Sequence, residues 1–123
     1  MAGMKSLADG LVVLVALLHL YFLVLEMFLW TKPYGRRVFG LTVEKAALTK
    51  SLAMNQGLYN GFLAAGLAWG LLAGADGHVI KVFFLSCVIV AGVFGAATAS
   101  RKILWVQAVP GALALGLVCL ANG

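Results

Sequence analysis

Four long stretches of this chain are almost wholly apolar, at residues 11–30, 48–72, 79–99 and 103–121, and short polar segments divide them. The second is led in by polar positions from Glu44. A bilayer core of about 30 Å takes roughly 20 residues of helix at 1.5 Å each. Transmembrane strands would be about ten residues long and would alternate apolar with polar positions. These runs do not alternate. The pattern predicts an all-α, polytopic membrane protein, a four-transmembrane-helix bundle forming one domain over residues 1–123, with spans at 9–30, 44–74, 79–99 and 103–121. The first run is read as a retained helix, because Asp9 follows Lys5, the apolar stretch is too long for a leader, and no small-x-small site closes it.

Composition narrows the class. The chain is 63% apolar and 11% charged, with a mean hydropathy of +1.05, against the roughly 45–50% and 25% of soluble domains. Disordered chains are poor in apolar residues, so disorder is excluded with the ordinary soluble enzyme. The net charge of +5 is unevenly spread. Lys32, Arg36, Arg37, Lys45 and Lys50 lie between the first two spans or at the entry to the second, and Arg101 and Lys102 lie between the last two. Only Lys5 and Lys81 fall on the other side. Lysine and arginine are retained in cytoplasmic loops, so both basic loops are expected in the cytoplasm and both termini outside, in the plasma (inner) membrane. The charge thus reports topology and lipid contact and gives no reason to expect nucleic acid.

Within the first basic loop, Pro33 is expected to stop helix one, and Trp30, Tyr34 and Phe39 suit the membrane interface. Lys32, Arg36 and Arg37 are expected to meet lipid headgroups. Thr42 fits an N-cap, with Glu44 in the first turn where the helix dipole favours an anion.

Polar side chains at membrane depth carry the candidate chemistry, since they are costly there and face protein or water. His19 and Glu26 are seven residues apart and share one stripe of helix one. Helix two carries Asn55, Gln56, Tyr59 and Asn60, of which Gln56 and Asn60 stand four apart. Counted inward through an antiparallel pair, Gln56 is expected near the depth of Glu26, and Asn60 nearer His19. Gln107 enters from helix four, three residues before Pro110, which withholds a backbone donor from the Val106 carbonyl. Together these seven residues predict a ligand or proton pocket reached from three helices. Amides and histidines also join membrane helices as simple adhesive, which accounts for Asn55 and Tyr59 without a site. A carboxylate is too expensive for that role, so Glu26 is expected to accept a proton or a cation.

Other chemistries are absent from the pattern. There are two histidines and two cysteines, with no zinc-type spacing, so no metal is expected. Cys87 and Cys119 fall at different depths and are read as small buried apolar residues. No nucleophile triad, phosphate loop or dinucleotide fingerprint occurs, and no cofactor is implied. The fifteen glycines fall at packing intervals: Gly57 and Gly61, then Gly66, Gly70 and Gly74, with Gly92 and Gly95 on helix three. Such spacing lets helices approach closely. Four helices enclose little interior, so a homo-oligomer is expected.

Three segments carry a family resemblance: ALLHLYFLVLEMFLW at 16–30, GRRVFGL at 35–41 and NQGLYNGFLAAG at 55–66. They resemble a bacterial family of small membrane proteins catalogued as domain of unknown function 1304. The resemblance implies four transmembrane helices and places His19, Glu26, Gln56 and Asn60 within the family's motifs, without implying an activity. The residues favour binding or movement of a small amphiphilic or lipophilic molecule, with a proton link through Glu26. The alternatives are a membrane enzyme on a lipophilic substrate and an accessory or structural subunit. Small multidrug transporters are similar in length and helix-one glutamate but lack this loop bias. The membrane eicosanoid and glutathione enzymes are similar in size, yet their arginine-rich helix-two motif is missing here.

Overall fold

A computed structural model describes residues 2–122; Met1 and Gly123, which the single-domain reading takes in, lie outside the described residues. Among those described there is no strand, so the all-α expectation holds. The helices are α1 (Ala2–Met27), α2 (Pro33–Phe39), α3 (Val43–Leu72), α4 (Gly77–Thr98) and α5 (Val109–Asn122). A 3₁₀ turn, Gly74–Asp76, precedes α4, and a π-helical turn, Leu104–Ala108, leads into α5.

Three segments are long and apolar enough to cross a membrane by length and composition: Ala2–Met27, Gly74–Thr98 and Leu104–Asn122. They indicate a multi-pass membrane protein. Helix α3 is the longest at 30 residues but is not among the three. Asn55, Gln56 and Asn60 interrupt its apolar character where the other helices carry leucine, valine and alanine.

Local chemistry sets the helix ends. Thr42 Oγ1 accepts the Lys45 N–H at 3.1 Å and caps α3, and Glu44 lies in its first turn. Proline 33 does not stop α1, which ends at Met27; it opens α2 at the first helical position, where its missing N–H costs nothing and its fixed φ already suits a helix. Gly40 ends α2 at φ 65°, in the left-handed region, and Gly74 does the same after α3 at φ 66°. Gly74 is therefore a turn residue, with open space around it, and the expected packing series stops at Gly70.

The chain divides into two compact units. One comprises Met1–Leu18 and Leu63–Gly123. Its core gathers Ala8, Val12, Val15 and Ala16 of α1, Leu67 of α3, Leu85 and Val88 of α4, and Ala114 and Val118 of α5. The α1 positions follow the i, i+4, i+7, i+8 spacing of a buried stripe. Glycine brings α4 against the last helix: a Cβ on Gly92 would fall 2.6 Å from the Ala108 nitrogen, and one on Gly111 2.8 Å from Val88 Cγ1. Just before Pro110, the Val109 N–H reaches the Leu104 carbonyl, five residues back. The wide turn sits where proline removes the next ordinary donor.

The second unit is His19–Phe62, containing the end of α1, all of α2 and the first two thirds of α3. Leu25, Ala46 and Ala53 are buried in it. Gly35 lies against the Leu29 carbonyl with no room for a side chain. Large apolar side chains such as Leu48, Leu52 and Phe62 are exposed.

Candidate functional site

Glycine builds the site in the second unit. A Cβ on Gly57 would fall 2.5 Å from Met27 Cγ and 3.2 Å from Glu26 Cβ, and one on Gly61 2.8 Å from Leu23 Cδ1. One helical turn apart, these two glycines let α3 come close to α1. Between them in sequence, Asn60 donates from Nδ2 to Glu26 Oε1 at 2.5 Å. Glu26 and Asn60 are both partly buried.

This pairing differs from the expected one, in which Gln56 would share the depth of Glu26. Helix α1 ends three residues earlier than its apolar run, and residues 28–42 are taken up by a turn and by α2. The register of α3 along α1 is thereby shifted by one turn, and Asn60 arrives at Glu26. Asn55, Gln56 and Tyr59 lie on exposed surface of α3, the last with its ring 6.1 Å from that of Phe62. His19 is fully buried, with its ring edge-on to Phe22 at 5.3 Å and 71°. Gln107 is partly buried in the π-helical turn and belongs to the other unit.

Along Met27, the residue after Glu26, runs an open groove of about 310 Å³ lined by Met27, Ser51, Met54, Asn55 and Leu58. The α3 members follow i, i+3, i+4, i+7 spacing and so form one stripe. Two methionines give it walls that adapt to irregular apolar shapes, and Ser51 and Asn55 supply polar groups.

The three residues expected at headgroups lie at α2. Lys32 and Arg37 are exposed, and the Arg37 guanidinium sits 6.0 Å from the Tyr34 ring centre. Arg36 is partly buried and donates from Nε to the Thr31 carbonyl at 3.3 Å. Aromatic residues brace this segment: the Trp30 ring packs at a 44° tilt against Phe39 with centroids 4.8 Å apart and donates to Thr49 Oγ1 at 2.9 Å, and the Tyr21 and Tyr34 hydroxyls meet at 2.6 Å.

The first unit holds a polar group that the sequence reading passed over. Lys81 is buried and donates to Asp9 Oδ1 at 3.0 Å, while Lys5 reaches Oδ2 at 3.2 Å. The signal was the place of Lys81 three residues inside an apolar run, matched by an aspartate at the head of another. Gly70 makes room for it, since a Cβ there would fall 2.6 Å from Lys81 Cγ. His78 Nδ1 is hydrogen-bonded to the Asn122 amide. Cys87 and Cys119 are free thiols, the first partly buried and the second exposed. Among the described residues no cluster of three or more His, Cys, Asp or Glu could hold a metal.

Residues 13–119 match a family described as "Protein of unknown function (DUF1304)". The uncharacterized protein YpaA of Lactococcus lactis subsp. lactis (strain IL1403) is 31% identical over 107 residues, covering 85% of this chain and 89% of that protein. No solved structure matches.

Proposed function

Because this chain belongs to the DUF1304 family, whose description assigns no activity, its function has to be argued from its own residues, and we propose that it binds a small amphiphile beside Glu26. The apolar body lies along Met27, Met54 and Leu58, and the polar head turns to Asn55 and the Glu26 carboxyl group. The observation that carries this reading is the Asn60–Glu26 hydrogen bond. It fixes one carboxylate oxygen on a neutral amide and leaves the other to a ligand's cation or donor. Among the described residues no lysine or arginine pairs with Glu26, so a cationic head would be its first full counter-charge. The groove volume is at the low end of the roughly 300–1,000 Å³ of small-molecule sites. Exchange of a proton for that cation would link binding to proton movement.

The test uses tetraphenylphosphonium as probe, with the protein in nanodiscs. Wild type is expected to bind it saturably and to release a proton to a weakly buffered dye. Glu26→Gln is expected to keep the fold and lose binding. Equal binding by the amide variant overturns the reading.

The same reading takes α3 as a fourth span, supported by its length and by the exposed Leu48, Leu52, Phe62, Trp69 and Leu72 along it. Both termini are then outside and both basic loops cytoplasmic. The exposed Gln56 and Tyr59 support a second copy as partner, and Lys32 and Arg37 support contact with lipid headgroups. Labelling Ala75→Cys and Ser100→Cys with an impermeant maleimide, in a chain whose native cysteines are serine, tests the topology: in intact cells only the first is expected to react.

A further inference from the structure

The first unit gathers cationic and amide donors at one end. Lys5 and Asp9 come from the start of α1, His78 and Lys81 from the first turns of α4, and Asn122 from the end of α5. Two ammonium groups share the single Asp9 carboxylate, at 3.2 and 3.0 Å, so two positive charges face one negative. The Lys81 side chain is only 8% exposed. An ammonium has three N–H donors, and Asp9 takes one from each lysine.

A pocket of about 260 Å³ is lined by Lys5, Gly74, Ala75, His78, Lys81 and Asn122, with the Asn122 amide already hydrogen-bonded to His78 Nδ1. Asp9 compensates Lys81 from outside this lining, so among the described residues the lining carries ammonium, imidazole and amide groups and no carboxylate. Excess positive charge beside a buried lysine is unfavourable in a low-dielectric setting until an anion joins it. The pocket is smaller than the roughly 300–1,000 Å³ of drug-sized sites; it suits a compact anionic group and not a whole amphiphile.

We propose that this pocket binds a phosphate group. Lysines serve phosphate as point charges, and donors arriving from three helices suit a tetrahedral anion with oxygens on every side. The site shares no residue with the groove lined by Met27 and Met54, and its test does not depend on that reading. The phosphate can belong to an anionic lipid headgroup or to a free small molecule.

The experiment follows thermal unfolding by tryptophan fluorescence of the full chain in a neutral detergent at constant ionic strength. One arm adds phosphatidylglycerol, with phosphatidylcholine as control; the other adds inorganic phosphate, with chloride as control. A saturable upward shift in Tm is expected with at least one phosphate source and not with its control. A shift in the first arm alone identifies a lipid, and a shift in the second alone a soluble phosphate. The double variant Lys5→Gln/Asn122→Ala keeps the Asp9–Lys81 pair, so its fold is expected to survive. Loss of two donors, one of them charged, is expected to weaken binding by about tenfold or more. The proposal is overturned if neither source shifts Tm, if the controls shift it equally, or if the double variant responds as wild type does.

Discussion

In one unit the carboxylate of Asp9 is held between two ammonium groups, Lys81 at 3.0 Å and Lys5 at 3.2 Å; in the other the carboxyl group of Glu26 meets the neutral amide of Asn60 at 2.5 Å. Both sit on α1, and each is met by a side chain from another helix. What differs is the partner's charge. A buried ammonium needs its counter-ion whatever the protein is doing, so the Asp9–Lys81 pair acts as a fixture. An amide satisfies a carboxyl group in either protonation state, because it can both donate and accept. Glu26 is thus free to change state without losing its neighbour. Removing charge should be costly in the first unit and tolerated in the second.

The sharpest break comes from Asp9→Asn. It strands the Lys81 ammonium and is expected to cost about 3 kcal/mol, read by thermal unfolding in nanodiscs. Glu26→Gln under the same conditions should cost less than about 1 kcal/mol. Equal losses would remove the distinction between the two units.

Gly92→Ala follows in size. The new methyl group would lie 2.6 Å from the Ala108 nitrogen and 2.9 Å from its Cα, and backbone cannot swing aside. Overpacking of this kind is expected to cost about 2 kcal/mol. Asn60→Ala ranks third, at about 1 kcal/mol for the lost bond to Glu26, and it should also weaken binding of the lipophilic cation. Gly61→Ala closes the series. Its methyl group meets only Leu23 Cδ1, at 2.8 Å, the mobile end of a side chain, and alanine is a better helix former than glycine. The two effects should leave stability within about 0.5 kcal/mol of wild type.

Much of this was legible in the residue pattern. The apolar runs locate α1, α4 and α5, Thr42 and Glu44 mark the start of α3, and Gly57 with Gly61 mark a close approach. The amides that drew attention to α3 as a site also kept it below the apolarity of its neighbours. What escaped depends on register and pairing. Periodicity places Gln56 and Asn60 on one face but does not say which meets Glu26; that depends on where α1 stops and how many residues the α2 segment consumes. Lys81 escaped because a lone lysine near the end of an apolar run reads as a loop charge until an aspartate from a distant helix is seen beside it. Gly74 fitted a four-residue spacing and turned out to be a left-handed cap, since spacing carries no information about φ.

The π-helical turn at Leu104–Ala108 holds one residue more than an ordinary turn would. Each residue advances a helix by about 100°, so that extra residue acts as a phase slip between the segment entering α5 and the helix itself. Downstream, Gly111, Ala114 and Val118 are all buried, while Ala108 at the end of the turn lies against Gly92. Excising a single residue from this turn would rotate that buried face away from its seam without altering any side chain on it. In this part of the chain, residue number matters as much as residue identity.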